Sequence, residues 1–331
     1  MEDVAREAKV SISTVSHVVN GTRKVHPATI ETVNAAIRRT GFVPNSLARA
    51  LAGGSTRTIG VAISALTNHY FADTVRVIEA ECARRNLMIF LADTHDDPVY
   101  ELRVIKAFHQ RRVDGIILAP TIGPDNRALE YLMKRQIPSV LIDRIVPRAF
   151  DQVGVENTTS CQQLTAHLIG HGHRRIGFVS GAAGIPTSVE RLEGYRSALQ
   201  IAGIAFDPAL VRCGESTNEP ARRAVDALLQ LEPRPTAILA ANNLMMIGAM
   251  HALRHAGIAV PAEVALAGFD DFDWADLFNP GLTVVAQPLE QIALKAVQML
   301  IRRIAHPEVT IEVVRLAPEL IVRQSCGCPL T

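Results

Sequence analysis

The chain has 331 residues, with 34 basic and 33 acidic side chains, a formal net charge of +1 and 48% hydrophobic residues. That length is too great for one small domain. Five widely spaced cysteines argue against a disulfide framework, and no apolar run reaches the ~18 residues that a membrane helix needs. Without a targeting segment, the expectation is a cytoplasmic protein.

In chain order, residues 3–20 (DVAREAKVSISTVSHVVN) predict two short helices joined by a tight turn. The run Asp3–Ala8 keeps Val4, Ala5 and Ala8 on one helical face, and Lys9-Val10 is the turn. Ser11 stands at a helix N-cap, and Ile12–Val19 form the second helix. That helix carries Ser13, Thr14, Ser16 and His17. It is slim enough for a DNA major groove and has hydrogen-bonding tips for phosphates and base edges. Two amphipathic helices can also imitate such a motif, so the neighbouring segments matter. Val25–Thr40 predicts a third helix, with Pro27 in its first turn and Ile30, Val33 and Ile37 at helical spacing. Gly41 stops it. Next, Ser46–Ala52 is helix-prone for only about two turns before Gly53-Gly54, a length that is marginal alone in water. A linker of this kind is a candidate for folding on binding.

Charge is unevenly spread. Residues 1–58 hold eight of the basic and four of the acidic side chains, leaving 26 basic and 29 acidic for the rest. A basic head on a mildly acidic body suits phosphate contact at one end.

From residue 59 the chain alternates short apolar runs with amphipathic stretches. Strand candidates are Ile59–Ile63, Met88–Ala92, Gly115–Ala119, Val140–Asp143, Ile176–Val179, Ala237–Ala240 and Val264–Phe269. Apolar strands alternating with helices predict parallel sheets covered on both faces. Polar residues cluster at or just past the strand ends: Ser64, Asp93, Asp143, Asn242 and Asp270. In open parallel sheets, ligands bind outside the carboxyl ends of the strands, so these residues are expected to converge on one cleft. Each could instead cap a helix or turn a loop.

The blocks DVAREAKVSISTVSHVVNG, GFVPNSLARALAGGSTRTIGV, RRVDGIIL, HGHRRIGFVSG, ERLEGYRSAL and AGFDD occur in this order along almost the whole chain. In them the chain resembles the lactose-repressor/galactose-repressor family of transcription regulators. The resemblance implies a helix-turn-helix domain at 1–44 and a hinge helix and linker at 45–58. It also implies an α/β core at 59–331, like periplasmic binding proteins, of two Rossmann-like subdomains: about 59–155 with 286–315, and 156–285 with 316–331. Ile12, Ser13 and His17 would face bases, while Ser11, Thr14, Ser16 and Asn20 would hold the DNA backbone. In the linker, Asn45, Ala48 and Leu51 would reach DNA, with Leu51 as the wedge in the central base step. Tyr70, Phe71, Arg191, Asn242 and Asp270 would contact an effector, with Asp143 as a further contact and Ser64 beside them. The ligand implied is a sugar or sugar derivative, with a phosphorylated sugar, nucleoside or purine left open.

Four departures stand out. Related chains start a few residues earlier, with a Thr capping the first helix. His26 replaces a Ser/Thr cap, Asn243 replaces the Asp of the usual ANDxxA pattern, and Ser216 stands where some members have an aromatic.

No P-loop or nucleophile elbow appears, and no cofactor is expected. Cys326-x-Cys328 reads as a tail rather than a metal site, and His171-x-His173 reads as a helix end. The expected function is a ligand-responsive, non-enzymatic DNA-binding repressor, acting as a homodimer on a near-palindromic operator. An exported solute-binding protein would leave residues 1–58 idle. An enzyme on the same scaffold lacks a visible nucleophile–base pair.

Overall fold

Helices this short need tertiary partners to hold, and residues 1–57 supply them. The structure is a computed structural model that describes residues 1–20, 23–42, 55–123 and 126–328. It divides into two units, Met1–Arg57 and Thr58–Thr331. In the first, α1 (Glu2–Ala8), α2 (Ile12–Asn20) and α3 (Pro27–Thr40) bury Val4, Ala5, Ala8, Val15, Val33 and Ala36 against one another. Lys9 ends α1 in a left-handed conformation at φ 54°. Ser11 Oγ then accepts the Thr14 N–H at 3.1 Å, the N-cap expected for α2. Helix α3 begins at Pro27, two residues later than the periodicity predicts. The Pro27 ring presets the helical φ, and His26 stands at the N-cap without a side-chain hydrogen bond. Gly41, at φ 64°, ends it. The linker residues Asn45, Ala48 and Leu51, with the expected hinge helix, lie outside the described residues.

The second unit contains two six-stranded sheets. The first sheet takes β1 (Thr58–Ile63), β2 (Met88–Asp93), β3 (Gly115–Leu118), β4 (Ser139–Asp143), β5 (Asp151–Val155) and β11 (Val313–Leu316) in the order β11-β5-β4-β3-β1-β2, all parallel. The second takes β6 (Ile176–Ser180), β7 (Val211–Cys213), β8 (Ala237–Ala240), β9 (Ala265–Phe269), β10 (Thr283–Ala286) and β12 (Glu319–Ile321) in the order β12-β10-β9-β8-β6-β7. Only β12 runs antiparallel there.

Strand periodicity builds the first lobe's two cores. Val61, Ile63, Ile117, Ile142 and Val153 point to one face, and Ala62, Ile116, Leu118 and Leu141 to the other. The first face is covered by α4 (His69–Arg84) and α11 (Leu289–Ala305). The other is covered by α5 (Pro98–Gln110) and α6 (Arg127–Arg135). In the second lobe, α7 (Asn157–Gly170) and α8 (Pro186–Ile201) pack closely as a pair, as do α9 (Asn218–Leu229) and α10 (Asn243–His255). Gly194 permits the first of these contacts, since a Cβ there would strike the Thr158 carbonyl oxygen. The chain passes between the sheets after β5, after β10 and after β11. Among the described residues, no helix is long and apolar enough to cross a membrane.

Five strands escape a hydrophobicity reading. β5 opens with Asp151 and Gln152, buried because Arg303 pairs with Asp151 at 2.8 Å and Gln152 bonds both ways with the Val146 backbone. β7 and β12 have three residues each, too few to display a period, while β10 opens on Thr283 and β11 carries Arg315, which shorten their apolar runs.

Candidate functional site

The first unit offers a candidate DNA-reading face. Val15 is fully buried, so α2 turns Ile12, at 48% exposure, and Ser13 outward beside its cap Ser11. Thr14, Ser16 and His17 are partly exposed. Ser11 Oγ lies 2.8 Å from both Ser13 Oγ and Thr14 Oγ1, forming a cluster of hydroxyls at the helix N-terminus. Asn20 closes the helix. Positive partial charge at a helix N-terminus and exposed Arg6, Lys9, Arg23, Lys24, Arg38 and Arg39 suit phosphate oxygens.

In the second unit, Ser64, Tyr70, Phe71, Asp143, Arg191, Asn242 and Asp270 all line one cavity of about 620 Å³. They come from the ends of β1, β4, β8 and β9, the first turn of α4 and the middle of α8. Asp93, the fifth of the strand-end residues, lines it too, and holds its own loop by accepting the Leu66 and His95 N–H groups at 2.8 Å each.

Arg191 is 5% exposed and fixed from three sides. Its Nε donates to Asn157 Oδ1 at 2.9 Å, one Nη donates to the Ala241 carbonyl, and the guanidinium stacks 3.7 Å from the Phe269 ring centroid. Asp143 and Asp270 adopt the same left-handed backbone, φ 68° and 72°, at corresponding strand ends of the two sheets. For a non-glycine residue this costs on the order of 1 kcal/mol and turns both carboxylates inward. Burial pushes the Asp143 carboxyl above its ordinary value, against the opposing pull of Arg144 and Arg191. Asp270 Oδ1 accepts from Gln287 Nε2 at 2.6 Å. The Tyr70 hydroxyl is buried, and among the described residues it has no partner of full hydrogen-bond geometry. Burial, then the charges of Asp143 and Asp270, push its pKa well up, with the Asp143 carboxyl close enough to add to the shift, so the hydroxyl keeps its proton in the cleft.

Asn242 has two duties. Its Oδ1 caps α10 through the Met245 N–H at 2.8 Å, and its Nδ2 donates to the Ser216 carbonyl at 3.1 Å. One amide hydrogen is left to face the cleft.

Several cleft residues went unnoticed in the sequence. Arg144 is gripped by Asp96, Nη2 to Oδ2 at 2.8 Å, and also donates to the Pro120 carbonyl. Asn68 caps α4 through the Tyr70 N–H at 3.0 Å and accepts from Asn243 Nδ2 at 2.8 Å. This last bond joins the lobes directly. It gives the Asn243 departure a physical reason: the amide donates to Asn68, which a carboxylate cannot do.

The sequence reading of the cysteines needs correction. Cys326 and Cys328 pack back against the end of α7, where His171 is the C-cap, as the helix-end reading expected, with its ring beside that of His167. His167, His171 and Cys328 bring ligand atoms within 4.8 Å of one another, the one such group among the described residues. His173 Nδ1 faces Thr236 Oγ1 at 3.0 Å instead. The sequence reading assigns no metal ligand to these residues; the structure brings their donor atoms together.

A helix-turn-helix unit and a two-lobed cleft at the carboxyl ends of parallel strands define a DNA-binding regulator that senses a small molecule. Two family models match the chain: bacterial regulatory proteins, lacI family, over residues 1–45, and the periplasmic binding protein-like domain over residues 165–326. The HTH-type transcriptional repressor PurR of Vibrio atlanticus (strain LGP32) is 33% identical over 330 residues, 98% of each chain. The ribose operon repressor of Escherichia coli (strain K12) is 34% identical over 328 residues, 98% of this chain and 99% of that one. Among solved structures, the lac repressor dimer bound to operator and the anti-inducer ONPF matches with a TM-score of 0.87 at 25% identity over 98% of both chains. The complex of the transcriptional regulator CelR with cellobiose matches at 0.76 and 31%, again over 98% of both. The chain belongs to the lacI family of bacterial regulatory proteins and is a sequence-specific DNA-binding transcriptional regulator.

Proposed function

We propose that this regulator is a homodimeric repressor whose operator affinity is set by a neutral sugar or sugar derivative held between the lobes by Ser64, Tyr70, Phe71, Asp143, Arg191, Asn242 and Asp270. The observation that carries the reading is the charge of the cleft. Five carboxylates (Asp93, Asp96, Asp143, Glu215 and Asp270) line it against two guanidiniums, Arg144 and Arg191. Both guanidiniums already have protein partners. Such a field repels phosphate, while carboxylates accept paired hydroxyl hydrogens and rings cover sugar C–H faces. The aromatic cover, Tyr70 and Phe71, comes from one lobe only. The other lobe offers Ala182, Ala183 and Ser216, so a flat purine would be stacked on one side alone.

Lobe closure around the sugar is coupled to operator affinity, and a coupling of ~1–3 kcal/mol changes that affinity about 5–150-fold. Two helix-turn-helix units read the two half-sites of a near-palindromic operator, in the compartment that holds the chromosome. Leu51 in the 45–58 linker is the minor-groove wedge, with Asn45 and Ala48 beside it. Leu51→Ala is expected to weaken operator binding by roughly 10–100-fold and to reduce the DNA bend in a circular-permutation assay. Full affinity with an unchanged bend would refute the wedge.

Calorimetry against aldoses, phosphorylated sugars, nucleosides and purine bases tests the effector. One neutral sugar is expected to bind and to shift the occupancy of a selected genomic fragment. Tight binding of a purine or a phosphorylated sugar, with none from neutral sugars, overturns the reading.

A further inference from the structure

Far from the strand ends that face the cleft, α7 finishes in a pair of histidines one helical turn apart. His167 lies in the last turn and His171 is the C-cap. Their rings are 4.7 Å apart, edge to face. The chain returns to this helix end some 160 residues later. A short turn, Gln324–Cys326, is pinned by Ser325, whose Oγ donates to the Leu266 carbonyl at 2.6 Å and accepts the Thr283 N–H at 2.8 Å. Gly327, at φ 96°, then bends the backbone so that Cys328 follows Cys326 back toward the histidines.

The donor atoms converge. Cys326 Sγ lies 3.2 Å from His167 Nε2, Cys328 Sγ lies 3.1 Å from His171 Nε2, and Cys328 Sγ lies 3.6 Å from His167 Nε2. A tetrahedral zinc with ordinary Zn–S and Zn–N bonds separates neighbouring sulfur and nitrogen ligands by about 3.5 Å. Thiol–imidazole hydrogen bonds also fit distances of this size. They do not explain why the Cys328 sulfur and two ring nitrogens from a remote helix lie within 4.8 Å of one another, with the Cys326 sulfur beside His167 at their edge. The surroundings suit a metal as well: Cys326 is fully buried, and its sulfur accepts the Thr283 hydroxyl hydrogen at 3.1 Å, an outer partner that orients the ligand. His171 is exposed, which leaves an entry path.

We propose that His167, His171, Cys326 and Cys328 form a tetrahedral Cys2His2 site for zinc, or for another borderline-soft divalent cation, that clips the C-terminal turn to the end of α7. Both thiols give up their protons on binding, and nothing is oxidised or reduced. With four protein ligands the site is closed and structural.

The test uses full-length protein grown with added zinc and purified under reducing conditions without chelator. About one zinc per chain is expected by elemental mass spectrometry, and cobalt substitution should give the intense bands of a tetrahedral thiolate site. Chelation should lower the melting temperature by several degrees. Cys328→Ser and His171→Ala alter partly or fully exposed positions. Each should weaken zinc binding about 100-fold or more while leaving metal-free unfolding unchanged. Cys213→Ser and His173→Ala should retain the metal. Wild-type protein with reduced thiols and less than about one-tenth zinc per chain overturns the proposal. So does full zinc occupancy in the Cys328→Ser, His171→Ala double variant.

Discussion

The two lobes meet their shared cleft with different chemistry, although the same layered fold builds both. The first contributes the Tyr70 and Phe71 rings and an arginine, Arg144, already closed on Asp96. The second contributes the stacked Arg191 fork, the Asn242 amide and the Asp270 carboxylate, with little aromatic surface. Yet each lobe ends a strand with an aspartate in the same left-handed conformation, Asp143 in one and Asp270 in the other. The fold therefore dictates where an inward carboxylate stands. The neighbours packed beside it decide whether that lobe covers a ligand or grips it.

Removing the grip should have the largest effect. Arg191→Ala deletes a charged fork and strands Asn157 Oδ1 and the Ala241 carbonyl. It is expected to cost about 3–4 kcal/mol of effector binding in calorimetry, with operator binding in the absence of effector retained. Equal loss from Phe71→Ala would remove the distinction between gripping and covering lobes.

Next comes a cost carried by the covering lobe alone. Burial raises the Glu101 carboxyl from 4.5 to about 7, against the Thr121 N–H hydrogen bond that lowers it. Because the folded value lies above the unfolded one, its contribution to stability is fully present below about pH 4.5 and is lost as pH rises through about 7. Denaturant melts should show Glu101→Gln gaining roughly 1–3 kcal/mol over wild type at pH 8 and little at pH 4.5, since the amide oxygen can still accept from Thr121. An equal gain at both pH values would assign the effect to packing.

The bond that joins the lobes is a smaller term. Asn243→Asp loses the donor to Asn68 and adds a charge near Asp270, so the open form should gain by about 1–2 kcal/mol. Solution scattering should report a larger radius of gyration, and effector affinity should fall roughly 5–30-fold. Smallest of all, Ser216→Tyr gives the gripping lobe a ring facing Tyr70 and Phe71. Affinity for flat or ring-shaped ligands should rise by about 0.5–1.5 kcal/mol, measured as a preference for nucleosides over the parent sugar.

How much of this could be read beforehand depended on sequence distance. The helix-turn-helix was legible because its cap, turn and buried stripe fall within residues 2–20. Six of the seven strand candidates were legible because continuous apolar runs mark doubly covered parallel strands; β2 has such a run too, although it lies at the sheet edge with Met88, Phe90 and Leu91 exposed. β5 was hidden by Asp151, whose partners Arg302 and Arg303 lie about 150 residues away. The cleft side chains were placed by one rule about strand ends. Asn68 with Asn243, and Arg144 with Asp96, were not, because each pair becomes meaningful only when remote loops meet. The Cys–His cluster failed for the same reason. The local pattern offered His171-x-His173 and a lone Cys-x-Cys, whereas the contacts join residues 157 to 161 positions apart.

The chain crosses between the sheets after β5, after β10 and after β11. One tether would leave the lobes free to roll, slide and twist. Three strands side by side resist torsion and shear as a strap hinge does, and leave bending as the soft direction. Opening and closing then follow essentially one coordinate, and any ligand that spans the cleft can push only along it. A hinge of this kind would turn ligands of different shape into different extents of one movement.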